Sequence, residues 1–559
     1  MPNPLKPRSS ELTEGPDRVA HRALLFACGL ARTDMNKPLI AIVNSWNEIV
    51  PGCMHLNAVS KAVREGILEA GGVPLEFNTI GVCDGMAQGH VGMKYSLPSR
   101  EIIAASIEIM LEAHRFDAAV FISSCDKITP GMLLAAARVN IPSIFVPAGS
   151  MQAGTYEGRK ISLTQTREFA GKYHVGEISA EELARVEEIA CPTPGTCAMM
   201  GTANSMACLT EALGMSLPLS ATMPATSSAK LRNGRESGLR ILELLKEDIR
   251  PLDIITPAAL ENALRVTMAI GGSTNTILHL LGLAQEIGAD FDLRHVDQVS
   301  RNTPYIASII PSGPHTIEDL HGAGGIPAVL QSLQELIEQN AQTVSGTMRD
   351  VIKAAQWTDR DIIYPLDAPI KEDGGLAVLW GNLAPHGSVV KKSAAAPDMW
   401  VHEGPARVFD SMEEAIEVVE AGAVTPGSVI VIRYEGPVGG PGMREMQQIT
   451  AIMMGMGLAD NTALVTDGRF SGSTRGPCIG YVSPEAALGG PLAFVADGDR
   501  ISIDIPAGRL ELLVSEGELK RRRQHWQPPQ PPTKGILGLY ASLAQSASEG
   551  AVLVPKGVV

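Results

Sequence analysis

Short unbroken apolar runs recur along the first third of the chain, each bounded by Gly, Pro or small polar residues. Residues 38–43, 75–82, 120–122 and 144–146 read as buried strands. Between them lie stretches of helical period, residues 57–70, closed by Gly71-Gly72, and 99–114. Strands alternating with helices predict a parallel sheet covered on both faces. Ahead of the first strand, residues 1–20 read as a polar arm suited to packing on a partner subunit, and 21–30 as a short helix. After the fourth strand, residues 155–190 are polar and helical. The loop Cys191-Pro192-Thr193-Pro194-Gly195-Thr196-Cys197 then leads into a small-residue helix over 198–213. Further helical patterns cover 231–246, 257–270 and 277–287.

The pattern changes near residues 345–375, where a charged, weakly periodic stretch precedes short β-rich runs separated by Gly/Pro turns. These runs are 376–379, 388–390, 406–409, 428–433, 463–465, 492–495 and 500–505. The expected division is an α/β domain over 1–360 and a smaller β-rich, barrel-like domain over 361–559. Arg521-Arg522-Arg523 and the Pro-rich stretch after it read as a solvated, extended tail. No internal repeat is evident.

Composition narrows the class. Hydrophobic residues make up 45% and charged residues 19% of the 559, enough for a sizeable core. The net charge of −15 argues against nucleic acid or an anionic membrane as partner. No apolar run reaches membrane-spanning length, and the N-terminus lacks a signal-peptide pattern, so a cytoplasmic location is expected. Eight cysteines in such a chain point away from a disulfide framework. Cys28 and Cys208 fall in apolar helical patterns and read as core; Cys191 reads as a bystander.

The chemistry gathers where strands end. Cys125-Asp126-Lys127 follows the third strand and Cys83-Asp84 the second, and Cys53 and Cys197 lie on other Gly/Pro-rich loops. Thiolates are soft ligands suited to zinc, copper(I) or iron–sulfur clusters, and the absence of a CxxC pair argues against a zinc ribbon. Three thiolates on a cluster would leave one iron open as a Lewis acid. Asp84 and Asp126 suit a hard cation such as magnesium. Lys127 beside that cation must be neutral or converted, for instance to a carbamate; otherwise it salt-bridges an aspartate. Gly271-Gly272-Ser273-Thr274-Asn275 offers backbone N–H groups at a helix start as a carboxylate seat. Two glycine-dense stretches, 434–446 and 466–476, suggest backbone close to a ligand.

The motifs NSWNEIVPG, CDGMAQGH, SSCDKITPGML, PTPGTCAMMGTANSM, GGSTN, EGPVGGPGMREM, TDGRFSGSTRG and the terminal ASEGAV run nearly end to end. With them the chain resembles the iron–sulfur dihydroxy-acid and 6-phosphogluconate dehydratase family. The resemblance implies a homodimer, Cys125 and Cys197 as cluster ligands, and magnesium on Asp84, Asp126, carbamylated Lys127 and Glu445. It implies Ser471 as the catalytic base. Many members carry a third cluster Cys directly after a Pro; here Pro51-Gly52-Cys53 shifts it by one, and Cys83 stands at an alternative place. Cys53 is favoured slightly over Cys83, and [2Fe-2S] over [4Fe-4S]. The expected reaction converts 2,3-dihydroxy-3-methylbutanoate and its 3-methylpentanoate homologue to 2-oxo acids, in branched-chain amino-acid synthesis. A sugar-acid dehydratase is the alternative, and a non-catalytic iron–sulfur redox sensor the remote one.

Overall fold

The computed structural model describes residues 4–555. Its first sheet has four parallel strands, β1 (Leu39–Asn44), β2 (Val73–Asn78), β3 (Ala118–Ser123) and β4 (Ser143–Pro147), in the order β2-β1-β3-β4. All of β1, β3 and β4 is buried, which is why these strands read as continuous apolar runs rather than alternating ones. Phe121 and Phe145 are register partners on β3 and β4, and their rings stack with centroids 4.8 Å apart. Helices Leu56–Glu69, Ser96–Ala113, Ile128–Val139 and Ser228–Glu247 share one apolar core with the sheet.

The second sheet has eight strands in the order Arg509–Leu512, Arg500–Asp504, Val401–Phe409, Val429–Ile432, Ala463–Thr466, Cys478–Gly480, Ser388–Val390, Ala377–Leu379. Trp380 joins its two edges: its N–H donates to Gly508 O at 2.9 Å, and it accepts from Leu510 N at 2.8 Å. The sheet is thereby nearly closed into a barrel. Strand alternation sorts the side chains. Val429, Val431, Val465 and Ile503 fill the barrel interior, while Ile430, Ile432 and Leu464 pack outward against helices Met412–Glu420 and Gln447–Gly455.

Beyond the N-terminal arm, several expectations need correction. The arm is anchored within the chain: the N–H groups of Arg8 and Ser9 donate to Asp117, whose other oxygen takes Leu39 N. Lys6 is buried there against Thr13 and Met35 O. Cys28 is exposed, because helix Val19–Ala27 buries no residue; Cys208 is in the core as expected. The stretch 155–190 starts with a hairpin, Gly154–Tyr156 and Arg159–Ile161, before its helices. Residues 492–495 are not a strand; Pro491 starts a 3₁₀ turn, Pro491–Phe494, whose apolar side chains face the barrel core. Arg521–Arg523 belong to a helix, Glu516–His525, capped by Ser515 and held by Glu518 and Asp499. Among the described residues no helix is long and apolar enough to cross a membrane.

Candidate active site

Loops at the carboxyl ends of the parallel strands meet in one place. Ser124 Oγ donates to Gly52 O at 2.6 Å, and Gly195 N donates to Pro51 O at 3.0 Å. These bonds tie the loops of Cys53, Cys125 and Cys197 together. Gly52 is required by contact: a Cβ there would stand 2.6 Å from Ser124 Oγ and 2.8 Å from Cys125 Sγ. Cys197 lies in the loop before its helix, which starts at Thr202 rather than at residue 198. Asn204, on that helix, donates to Met199 O at 2.7 Å and to Cys197 O, fixing the loop.

The four thiols lie within electrostatic reach of one another. Burial pushes the Cys125 thiol well up, and negative charge at Cys53, Cys83, Asp126 and Cys197 would push it further. Burial likewise raises Cys197, with Asp126 and Cys83 adding to it. Cys83 is pushed up to about 11, by burial first and then by Asp84 and Asp126. Cys53 is fully buried, and its Sγ lies 3.9 Å from Ser45 Oγ. Thiols converging in a dry cleft resist ionisation unless cations are supplied, which fits a metal or cluster seat and does not fit a reactive lone nucleophile.

Beside the thiols lies a carboxylate trio. Ligand oxygens of Asp84, Asp126 and Glu445 all come within 4.8 Å of one another, a spacing that can hold a cation. Burial, and next to it the charge of Asp84, pushes Asp126 up to about 7. Burial also opposes ionisation of Asp84, but Lys127 and Arg469 outweigh it and hold that carboxyl below the usual range. Lys127 Nζ stands 3.0 Å from Asp84 Oδ2, so as a plain amine it forms the ion pair anticipated as its simpler role. Asp84 Oδ1 is buried without a hydrogen-bond partner, an acceptor that suits a cation ligand.

The barrel supplies the rest. Glu445, fully buried, accepts from Gln88 Nε2 at 2.6 Å and from Asn275 Nδ2 at 2.6 Å, and pairs with Arg469. Arg469 also reaches Asp84 at 3.5 Å and donates to Ser96 Oγ and Met443 O. Ser471, two residues on, lines the same cavity as Asp84, Asp126 and Cys197. Its Oγ accepts from Ser473 Oγ at 3.0 Å. Lys391, pushed down to about 7 by burial, donates to Gly472 O at 2.7 Å and so holds the Ser471 loop.

Sequence reasoning passed over Arg469, Gln88, Arg167 and His279, and misjudged GGSTN. The N–H groups of Ser273 and Asn275 are spent on Ser205 Oγ and Ser273 Oγ, so the turn seats no anion; the Asn275 side chain does the binding instead. One turn along, His279 Nδ1 accepts from Arg100 Nη1 at 3.1 Å. Arginine only donates, so the neutral ring carries its proton on Nε2, which is buried without a partner. In TDGRFSGSTRG both Arg469 and Arg475 lie between glycines, so the motif alone does not single out Arg469.

Known proteins match this chain from end to end. The model of the dihydroxy-acid/6-phosphogluconate dehydratase N-terminal region matches residues 37–351, and that of the C-terminal region residues 361–551. Dihydroxy-acid dehydratase of Moorella thermoacetica is 53% identical over 550 residues, covering 98% of this chain and 100% of that protein. The proteins of the same name from Methanococcus aeolicus and Ignicoccus hospitalis are each 52% identical, again over 98% of this chain and 100% of theirs. The chain belongs to the dihydroxy-acid/6-phosphogluconate dehydratase family and is a hydro-lyase.

Proposed function

We propose that this protein dehydrates 2,3-dihydroxy-3-methylbutanoate and its 3-methylpentanoate homologue to the 2-oxo acids, a step of branched-chain amino-acid synthesis. The observation that carries the reading is one cavity lined at once by Cys197, the acidic pair Asp84 and Asp126, and Ser471. Relatives about half identical over their whole length bear the dihydroxy-acid name, which favours this substrate over a sugar acid. A redox sensor has no use for a serine and a carboxylate trio facing its thiols.

Cys53, Cys125 and Cys197 would hold an iron–sulfur cluster, [2Fe-2S] in our reading, with Cys83 as the rival to Cys53. Magnesium would be held by Asp84, Asp126, Glu445 and Lys127 as its carbamate; the orphaned Asp84 Oδ1 supports a cation there. When bound, these groups supply a Lewis acid for the C3 hydroxyl and a positive charge for the carboxylate and C2 oxygen. Ser471 Oγ removes the C2 proton as an alkoxide, its own ionisation favoured by nearby positive charge. Hydroxide departs from C3, and the enol so formed becomes the oxo acid by protonation at C3. Arg469 and Asn275 orient Glu445, and Lys391 fixes the Ser471 loop. Residues 1–360 would form the domain carrying thiols and most cation ligands, and 361–559 the domain carrying Glu445 and Ser471. A cytoplasmic homodimer is the expected assembly. The test is 2-oxo acid formation from the branched dihydroxy acids and from aldonic acids, using anaerobically purified protein. Turnover of aldonic acids alone would overturn the substrate assignment.

A further inference from the structure

The cavity is lined by one cation, Arg167, that has no carboxylate partner among the described residues. Arg167 lies in helix Leu163–His174, three residues after Thr164, so both sit on one face and both line the cavity. Its guanidinium donates to Gln88 Oε1 and to Gly85 O, the latter at 3.0 Å. Both acceptors are neutral, and among the described residues no carboxylate forms an ion pair with it. Two other cations at the site are matched by carboxylates, Lys127 by Asp84 and Arg469 by Glu445, and Lys391 is spent on Gly472 O. Burial works against the charge of Arg167, which only the more distant Glu445 and the thiols favour. A partly buried guanidinium is retained where an anion completes it, and its fork suits a carboxylate best.

We propose that Arg167 is the anchor for the substrate's carboxylate, taking it in the space between Ser471 and Cys197. A carboxylate has about four acceptor positions, so it can bind this guanidinium and a cation on the acidic trio together. Gln88 makes the link rigid: it accepts from Arg167 and donates to Glu445, so substrate recognition and the cation site share one side chain. Helix Leu163–His174 is placed by its packing on helix Gln447–Gly455, where Gly171 meets Gly455 backbone to backbone. The proposal deepens the dehydratase reading by naming the group that selects an acid over an alcohol or amide.

The experiment titrates holoenzyme with 2-oxo-3-methylbutanoate and with its neutral amide by calorimetry, for the native protein, Arg167→Met and Arg167→Lys. Arg167→Met should weaken the acid roughly 10- to 100-fold, the worth of a charge-assisted hydrogen bond, and leave the amide unchanged. Its turnover loss should fall mainly on KM. Arg167→Lys, which keeps the charge without the fork, should recover part of the acid affinity and fall between the native protein and Arg167→Met. Equal weakening of acid and amide would mark a structural role, and unchanged acid affinity with lost iron would assign the guanidinium to the thiols; either overturns the proposal. Native protein that binds the acid but dehydrates no dihydroxy acid would defeat the proposed function and leave the anchor standing.

Discussion

Single side chains decide most of the chemistry, and six of them give direct tests. Ser471→Ala should lower kcat by about 10²–10⁴ with iron content unchanged, because its loop is held through its backbone, by Lys391 on Gly472 O and Thr274 on Phe470 O, and not only by the serine hydroxyl. Near-normal turnover in that variant would remove serine from the base's role. Among the thiols, Cys125→Ala and Cys197→Ala should abolish iron binding, and Cys53→Ala should do so where Cys83→Ala does not; iron analysis of the four variants decides. Glu485 tests electrostatics away from the cavity. Burial, and the charge of Asp467 after it, pushes Glu485 up to about 7, against N–H donors from Val438 and Gly439. A carboxyl raised on folding contributes stability that is complete below its unfolded pKa, near 4.5, and is lost as pH rises towards 7. Glu485→Gln should therefore flatten the fall of Tm over that interval, and an unaltered slope would count against this origin. The residues legible in the sequence were those with rare chemistry at loop positions: Cys125, Asp126, Lys127, Cys197. Arg469 and His279 were not legible, because a buried arginine and a tautomer set by another arginine are products of packing.

Elements bring these residues together by close backbone approach. Helices Leu163–His174 and Gln447–Gly455 meet at Gly171, where a Cβ would stand 2.6 Å from Gly455 Cα. Backbone cannot yield as a flexible side chain can, so Gly171→Ala should destabilise the protein by about 1–3 kcal/mol, read from urea unfolding. It should also weaken acid binding, since the helix that shifts carries Arg167. The α/β pattern of the first third was legible because β1, β3 and β4 are buried on both faces and flanked by clear turn residues. The hairpin at 154–161 was hidden by its length: three-residue strands carry no measurable period. The Pro-rich residues after His525 disguised helix Glu516–His525, whose stability comes from its Ser515 cap and Glu518–Arg pairs rather than from an apolar face.

At the scale of the whole molecule, the two sheets are joined by buried charge and by the end of the chain. Arg100 Nη2 donates to Gly550 O at 2.9 Å and Ala551 O at 3.0 Å, and Tyr540 Oη donates to Ala551 O. Ending the chain after Gln545 should leave that guanidinium without two acceptors, cost about 1–3 kcal/mol, and lower Tm by several degrees. An unchanged Tm would show that water replaces them. The terminal ASEGAV motif was legible as a signature but not as a buried strap, since nothing local tells which distant arginine a carbonyl will meet. The barrel has a different consequence, for the order of events during synthesis. Its edges are Ala377–Leu379 and Arg509–Leu512, so Trp380 finds its partners only when the chain is nearly finished. All four site thiols have left the ribosome long before, because the last of them is Cys197. At roughly 5–20 residues per second, the nascent α/β portion waits about 15–60 s with its thiols uncovered. In that interval the thiols stand open to whatever they are to bind, and the arriving barrel, which brings Gln447, Ser471 and Ser473 against Cys197, then covers them.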